Sequence, residues 1–246
     1  MSKAITKDKF EAVLFDLDGV LTPTEKIHAA CWKEMFDNFL RNYSKQNNTE
    51  FKEFEIESDY LKYVDGKPRY MGVKDFLESR NIDLEEGHPD APSDEISICG
   101  LGNKKNELFN KKIKNEKVEV YNGSLMLVNV LKENGFKLAV VSSSKNCKKI
   151  LSSAKLDKYF EIVVDGLVAD HHGLKGKPDP ETYMEACKLL SVSPIKSVVI
   201  EDAISGVQAG KNGNFGLVIG VARKNNENEL IENGADIVVK DLGELI

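Results

Sequence analysis

The feature that most constrains this chain is a strict alternation that begins near residue 118 and runs to the carboxyl end. Helical patterns at 124–134, 145–154, 180–190, 203–211 and 226–233 alternate with short apolar runs at 137–141, 161–164, 197–200, 216–219 and 236–239. Continuous apolar runs of this length, set between helices, read as strands buried on both faces. Alternation of helix and strand predicts a parallel sheet, and right-handed crossovers make it doubly wound, with helices on both faces. In such α/β folds the ligand site lies beyond the carboxyl ends of the strands.

A further strand of the same sheet is expected at the other end of the chain, where Phe10 to Phe15 form an apolar run that stops at Asp16. Roughly a hundred residues separate it from the rest. Their pattern is helical. Ile27, Cys31, Met35 and Phe39 recur every fourth residue, predicting a helix from Thr24 to about Asn42, with Thr24-Glu25 behind Pro23 as its start signal. Shorter helices are expected near 73–80 and 104–114, a turn at Gly66-Lys67-Pro68, and a loop over 85–92. The expected organisation is a sheet core, residues 1–23 and 118–246, with a helical cap, residues 24–117, inserted after the first strand.

The strand ends carry the reactive residues. The first run ends in Asp16-Leu17-Asp18-Gly19-Val20, and side chains two apart on extended backbone face the same way. The run at 137–141 ends in Ser142-Ser143-Ser144, the one at 197–200 in Glu201-Asp202, and Lys177 stands in Gly176-Lys177-Pro178-Asp179-Pro180 ahead of a helix. Carboxylates about 4 Å apart repel by roughly 4 kcal/mol per pair at an effective dielectric of 20, so such a cluster calls for a cation. Hard oxygen donors with no His or Cys among them favour Mg²⁺, which takes one or two carboxylates and leaves places for a substrate phosphate. Each element has an ordinary reading as well: a solvated turn, a surface lysine, helix starts. Their arrival in order on one sheet is what points to a site.

These residues resemble the four motifs of the haloacid dehalogenase superfamily of phosphotransferases, and the resemblance spans nearly the whole chain. It implies that Asp16 is a nucleophile that becomes an aspartyl-phosphate and that Asp18 is the general acid and base. Ser142 and Lys177 would hold the transferring phosphoryl group. Asp16, the Asp18 main-chain carbonyl, Glu201 and Asp202 would hold Mg²⁺.

Residues beyond the four motifs resemble the β-phosphoglucomutase family. They are Thr24, His28 and Trp32 on the first cap helix, Gly66 and Arg69 in the Gly66–Gly72 stretch, the pair Lys105-Asn106, and the run Ser143-Ser144-Lys145-Asn146. The resemblance implies that β-glucose 1-phosphate and glucose 6-phosphate interconvert through a bisphosphate. Its second phosphate needs a cationic site that Arg69 can supply as a fork and Lys105 as a point charge. His28 would help control the protonation of Asp18, while Thr24, Gly66, Asn106 and residues 143–146 would contact substrate. The chain departs from this family at Pro23, where an acidic residue is usual, and in extra cap residues around 43–60 and 85–101. A phosphatase acting on a sugar phosphate or other small phosphomonoester stands as the alternative. A non-enzymatic receiver domain, which also uses phospho-aspartate, would need only about half this length.

Composition removes other classes. With 34 basic against 40 acidic residues the formal charge is −6, which argues against nucleic acid or an anionic membrane as a main partner. No apolar run approaches the ~20 residues of a membrane span. Met1 to Lys9 is polar and lysine-rich, unlike a signal peptide. Cys31, Cys99, Cys147 and Cys187 are far apart with no CxxC pair, and are expected to be free thiols in a cytoplasmic protein. A small phosphorylated sugar is the expected partner, and no obligate protein partner is indicated.

Overall fold

A computed structural model describes residues 4–115, 118–223 and 225–246. Among these, six strands form one sheet: β1 (Ala12–Phe15), β2 (Lys137–Val141), β3 (Ile162–Val164), β4 (Ser197–Glu201), β5 (Leu217–Val221) and β6 (Ile237–Val239). Every pairing is parallel and the spatial order is β3-β2-β1-β4-β5-β6. This is the doubly wound order, and it reverses between β1 and β4, the switch point at which such sheets bind ligands.

By contacts the described residues divide into two compact units, one up to Pro23 and again from Val118 to Ile246, the other from Thr24 to residue 115. The sequence-based limits at residue 1 and at residue 117 lie outside the described residues. Helices α1 (Thr24–Asn47), α2 (Arg69–Ser79) and α3 (Ile98–Asn115) belong to the second unit. Helices α4 (Asn122–Glu133), α5 (Cys147–Ser153), α6 (Gly166–His172), α7 (Glu181–Leu190), α8 (Ile204–Asn212) and α9 (Glu227–Glu232) belong to the sheet unit.

In the sheet unit, α7 packs on β1, β2 and β3, and α8 on β4 and β5. The buried stripe of α7, Tyr183, Ala186, Cys187 and Leu190, has the spacing of one helix face. It joins Ala12, Leu14, Ala139, Val141 and Val199 in a continuous core, where each fully buried large apolar side chain contributes about 1.5–3 kcal/mol. The sequence pattern did not predict α6. It is seven residues long, too short to show a period. It forms because the buried Asp165 carboxylate accepts from Leu167 N at 3.1 Å and Val168 N at 3.0 Å, a side-chain cap on two otherwise orphan donors.

The second unit has its own aromatic core. The Phe36 ring lies 5.3 Å from Trp32, 5.0 Å from Phe54 and 4.2 Å from Phe76. Its helices begin earlier or run longer than the sequence pattern predicted, and a π-helical segment, Ile56–Val64, stands where no element was expected. Four of its nine residues are exposed, but it drives Tyr60 and Val64 into the aromatic core and packs Leu61 and Tyr63 against it. Gly72 of α2 permits close approach, since a Cβ there would lie 3.1 Å from Val64 Cγ1. The stretch 85–97 is a loop closed at its base by Ile98 N to Glu85 O at 3.0 Å and Cys99 N to Glu86 O at 2.9 Å. No helix among the described residues is long and apolar enough to cross a membrane.

Candidate active site

Sheet register builds the site. Phe15 of β1 stands beside Val140 of β2 and Ile200 of β4, so the next residues, Asp16, Val141 and Glu201, emerge side by side at the carboxyl ends. Asp16 N still donates to Ile200 O at 3.0 Å, so the nucleophile candidate is held by the last rung of the sheet. Beyond it the chain folds on itself: Thr22 N donates to Leu17 O at 3.0 Å and Gly19 N to Thr22 O at 2.8 Å. Gly19 has φ +84, and a Cβ on it would fall 2.0 Å from Asp202 Oδ2. Both facts require glycine here. Asp18, half-buried, bridges to Thr22 within this turn.

Lys177 reaches into the cluster from the loop ahead of α7. It is 1% exposed, and its Nζ donates to Asp16 Oδ1 at 2.6 Å, Glu201 Oε1 at 2.5 Å and Val141 O at 3.1 Å. Among the described residues, Asp16, Glu201 and Asp202 form an acidic group whose ligand oxygens lie within 4.8 Å of one another, all buried. Burial, the largest influence on Lys177, pulls its proton affinity down, but Asp16 and Glu201 overcome it and hold the ammonium above the usual lysine value. Burial pushes the Asp16 carboxyl well above its usual range. Glu201 and Asp18 add to this push, and Lys177 opposes it. One lysine does not balance this many carboxylates, and the donor set is oxygen only. Both features suit a hard divalent cation.

Ser142, buried at the end of β2, donates its N–H to Val164 O at 3.0 Å and accepts Ser144 N on Oγ at 3.1 Å. Ser144 Oγ in turn accepts Asn146 N at 3.2 Å. These bonds fold 142–146 into a tight loop leading to α5, with Ser143 half-buried and Asn146 buried. Lys145 ion-pairs with Asp170 of α6. Asp16, Lys177, Glu201 and Asp202 thus come together, with the Ser142 loop following the adjacent strand β2.

The remaining candidates lie in the second unit. Thr24 is buried at the start of α1, and Gly66, at φ +70, leads into the turn before α2. Lys105 of α3 is 5% exposed, with Nζ 2.5 Å from His28 Nδ1 and 5.0 and 5.2 Å from the Trp32 and Phe109 ring centroids. His28 stacks on Phe109 at 4.0 Å. A neutral imidazole nitrogen can accept from a lysine ammonium, so this contact can serve as a hydrogen bond. Trp32 packs in the aromatic core and also faces the lysine. Asn106 is half-buried on α3.

Three residues escaped the sequence reading. Asn103 Oδ1 accepts from Tyr70 OH at 2.9 Å and Arg69 Nη1 at 3.4 Å. Its Nδ2 donates to Pro89 O at 2.9 Å and Ala91 O at 2.8 Å. The 85–97 loop, expected over 85–92 and without a role in the sequence, is therefore tied through Asn103 to Arg69. Arg223, after β5, donates from Nε to Gly19 O at 2.9 Å and stacks on Tyr121 at 3.8 Å, bracing the turn that follows Asp16. Tyr183 OH donates to Glu201 Oε1 at 2.7 Å. A tyrosine in an otherwise apolar buried stripe was a usable signal, because a buried hydroxyl needs a partner.

The model of the haloacid dehalogenase-like hydrolase family matches residues 10–214. β-Phosphoglucomutase of Mycobacterium bovis is 40% identical over 242 residues, covering 97% of this chain and 92% of that protein. The phosphorylated carbohydrates phosphatase of Thermotoga maritima is 28% identical over 240 residues, 94% of each chain. The crystal structure of β-phosphoglucomutase from Clostridium difficile matches with a TM-score of 0.72 at 24% identity, over 96% of this chain and 93% of that one, a likeness of fold. With this sheet order and this acidic group at the switch point, the chain belongs to the haloacid dehalogenase-like hydrolase superfamily, in its β-phosphoglucomutase-like family.

Proposed function

We propose that this enzyme is a Mg²⁺-dependent β-phosphoglucomutase that works through an aspartyl-phosphate on Asp16. Membership of the superfamily makes the chain an enzyme of phosphoryl transfer rather than a receiver domain. The observation that carries the reading is the buried contact of Asp16, Lys177 and Glu201 beside Asp202 at the switch point. The 40% identity to a β-phosphoglucomutase over nearly all of both chains supports the choice of substrate.

A carboxylate oxygen of Asp16 attacks phosphorus, the aspartyl O–P bond forms, and the bond to the sugar oxygen breaks. Asp18 gives that oxygen its proton and later takes one from the hydroxyl that reclaims the phosphoryl group. Lys177 and Ser142 hold phosphoryl oxygens, and the lysine supplies fixed positive charge without reorganisation. Asp16, Asp202, the Asp18 carbonyl and Glu201 are the groups proposed to hold Mg²⁺, which when bound neutralises charge on the phosphoryl oxygens. Residues 143–146 are proposed to line the substrate. Residues 24–117 are proposed to act as the cap, with Thr24, Gly66, Arg69, Lys105 and Asn106 binding substrate and His28 adjusting the protonation of Asp18. Four free cysteines, all buried, support a cytoplasmic setting.

Three results are expected. Chelation should abolish turnover, Mg²⁺ should restore it, and activity with zinc that ignores Mg²⁺ would contradict the metal assignment. Arg69→Ala should slow isomerisation about 10- to 100-fold, the scale of a hydrogen bond to a charged group. Asn103→Ala should weaken apparent sugar-phosphate affinity by up to about tenfold through the same arginine. Neither should much alter hydrolysis of a small phosphate ester, since that needs no second anion site. A phosphatase is the second reading, favoured by the likeness to the Thermotoga maritima phosphatase; unchanged sugar-phosphate turnover in Arg69→Ala would favour it.

A further inference from the structure

Tyr183 is completely buried on α7, and nothing about packing alone requires its hydroxyl, since phenylalanine would fill nearly the same space. That hydroxyl donates to Glu201 Oε1 at 2.7 Å. The same oxygen accepts from Lys177 Nζ at 2.5 Å, and the ammonium stands 5.0 Å from the Tyr183 ring centroid. Glu201 Oε2 accepts from Asp202 N at 3.2 Å and Ala203 N at 3.3 Å. A carboxylate has about four lone-pair sites, and four donors are aimed at this one. The neighbouring helix makes room for it: a Cβ on Gly206 would lie 1.9 Å from Glu201 Oε1.

The Glu201 carboxylate is thus oriented by hydrogen bonds on both of its oxygens. Its partners are telling. One is the lysine that touches Asp16, and another is the backbone N–H of Asp202. We propose that Tyr183 is a positioning residue of the phosphoryl-transfer site. Its hydroxyl fixes the Glu201 carboxylate, and through it the placing of Lys177 and Asp202 around the metal. This rests on the Mg²⁺ reading above.

The test is calorimetric titration of Mg²⁺ into full-length wild type, Tyr183→Phe, Glu201→Gln and the double variant, with thermal midpoints taken without metal. Partners that orient metal ligands are typically worth 10–100-fold in metal affinity. Tyr183→Phe should therefore bind Mg²⁺ at least about tenfold more weakly. Glu201→Gln should weaken binding at least as much as Tyr183→Phe, and the double variant should be no worse than Glu201→Gln, because the two act as one unit. The inference is overturned if Tyr183→Phe binds as tightly as wild type or if the two losses simply add. Should Tyr183→Phe fail to fold, the hydroxyl serves the fold rather than the metal site, and the inference is overturned as well. If wild type itself takes up no Mg²⁺, it is the metal reading that fails, a result distinct from all of these.

Discussion

Asp16→Asn folds and loses nearly all turnover, on the order of the 10⁶-fold seen when a covalent nucleophile is removed. Asparagine keeps the shape of the side chain, and its carbonyl can still accept from Lys177, which now donates to Asp16 Oδ1 at 2.6 Å. The substitution also removes one of the repelling buried carboxylates at the switch point. The lost charge-assisted bond and the relieved repulsion oppose each other, so stability should stay within about 2 kcal/mol of wild type. What is lost is the chemistry, because an amide cannot form the acyl phosphate. Asp18→Asn should lose less, about 10²–10⁴-fold, the usual worth of a positioned proton donor. Urea unfolding and single-turnover kinetics on the same samples separate folding from chemistry. An Asp16→Asn enzyme that turned over at a rate comparable to wild type would place the nucleophile elsewhere.

Lys177→Met is expected to be the most destabilising single change at the site. Lys177 is enclosed and donates to two buried carboxylates and a backbone carbonyl. Removing one partner of a buried ion pair leaves the others uncompensated, at a cost of about 3–5 kcal/mol. The sign with pH follows from the shifts. The folded-state lysine holds its proton more tightly than the unfolded chain does. Its contribution is therefore complete below the ordinary lysine pKa and is lost only as pH rises through the raised folded value, so the deficit of the variant is flat across neutral pH. Toward acid it should shrink, because Asp16, already pushed above its usual range, becomes protonated and no longer needs a counter-charge. Added Mg²⁺ should raise the melting point of the variant more than that of wild type. Denaturant unfolding at several pH values checks this, and a variant as stable as wild type at pH 7 would refute it.

The parts of this account that were legible in the sequence share a physical reason. Strands buried on both faces must be apolar throughout, so β1, β2 and β4 stood out as short runs, and a ligand site at strand ends pointed directly to Asp16, Ser142 and Glu201. Lys177 was legible only through its motif, since nothing local betrays that it travels back to β1. Elements set by capping or long-range packing were invisible or cut short. Helix α6 depends on the Asp165 cap, and α1 runs on to Asn47 through a polar stretch where Asn47 Nδ2 bonds Tyr43 O at 2.9 Å. The π-helical segment sends Tyr60 and Val64 into the core of its unit and packs Leu61 and Tyr63 against it, all within five residues, too short a stretch for a periodic pattern. Asn103, Tyr183 and Arg223 owe their roles to partners 12 to 204 residues away along the chain: Ala91 and Pro89 for Asn103, Glu201 for Tyr183 and Gly19 for Arg223. No spacing rule reaches that far.

The central claim is phosphoryl transfer between two ends of one sugar by way of Asp16. The most direct test is ³¹P NMR of β-glucose 1-phosphate incubated with the enzyme, Mg²⁺ and a trace of sugar bisphosphate, following glucose 6-phosphate and inorganic phosphate in the same tube. The account predicts that glucose 6-phosphate accumulates much faster than inorganic phosphate, and that neither forms with Asp16→Asn. Release of inorganic phosphate as the dominant product, here and with every other sugar phosphate tried, would contradict it.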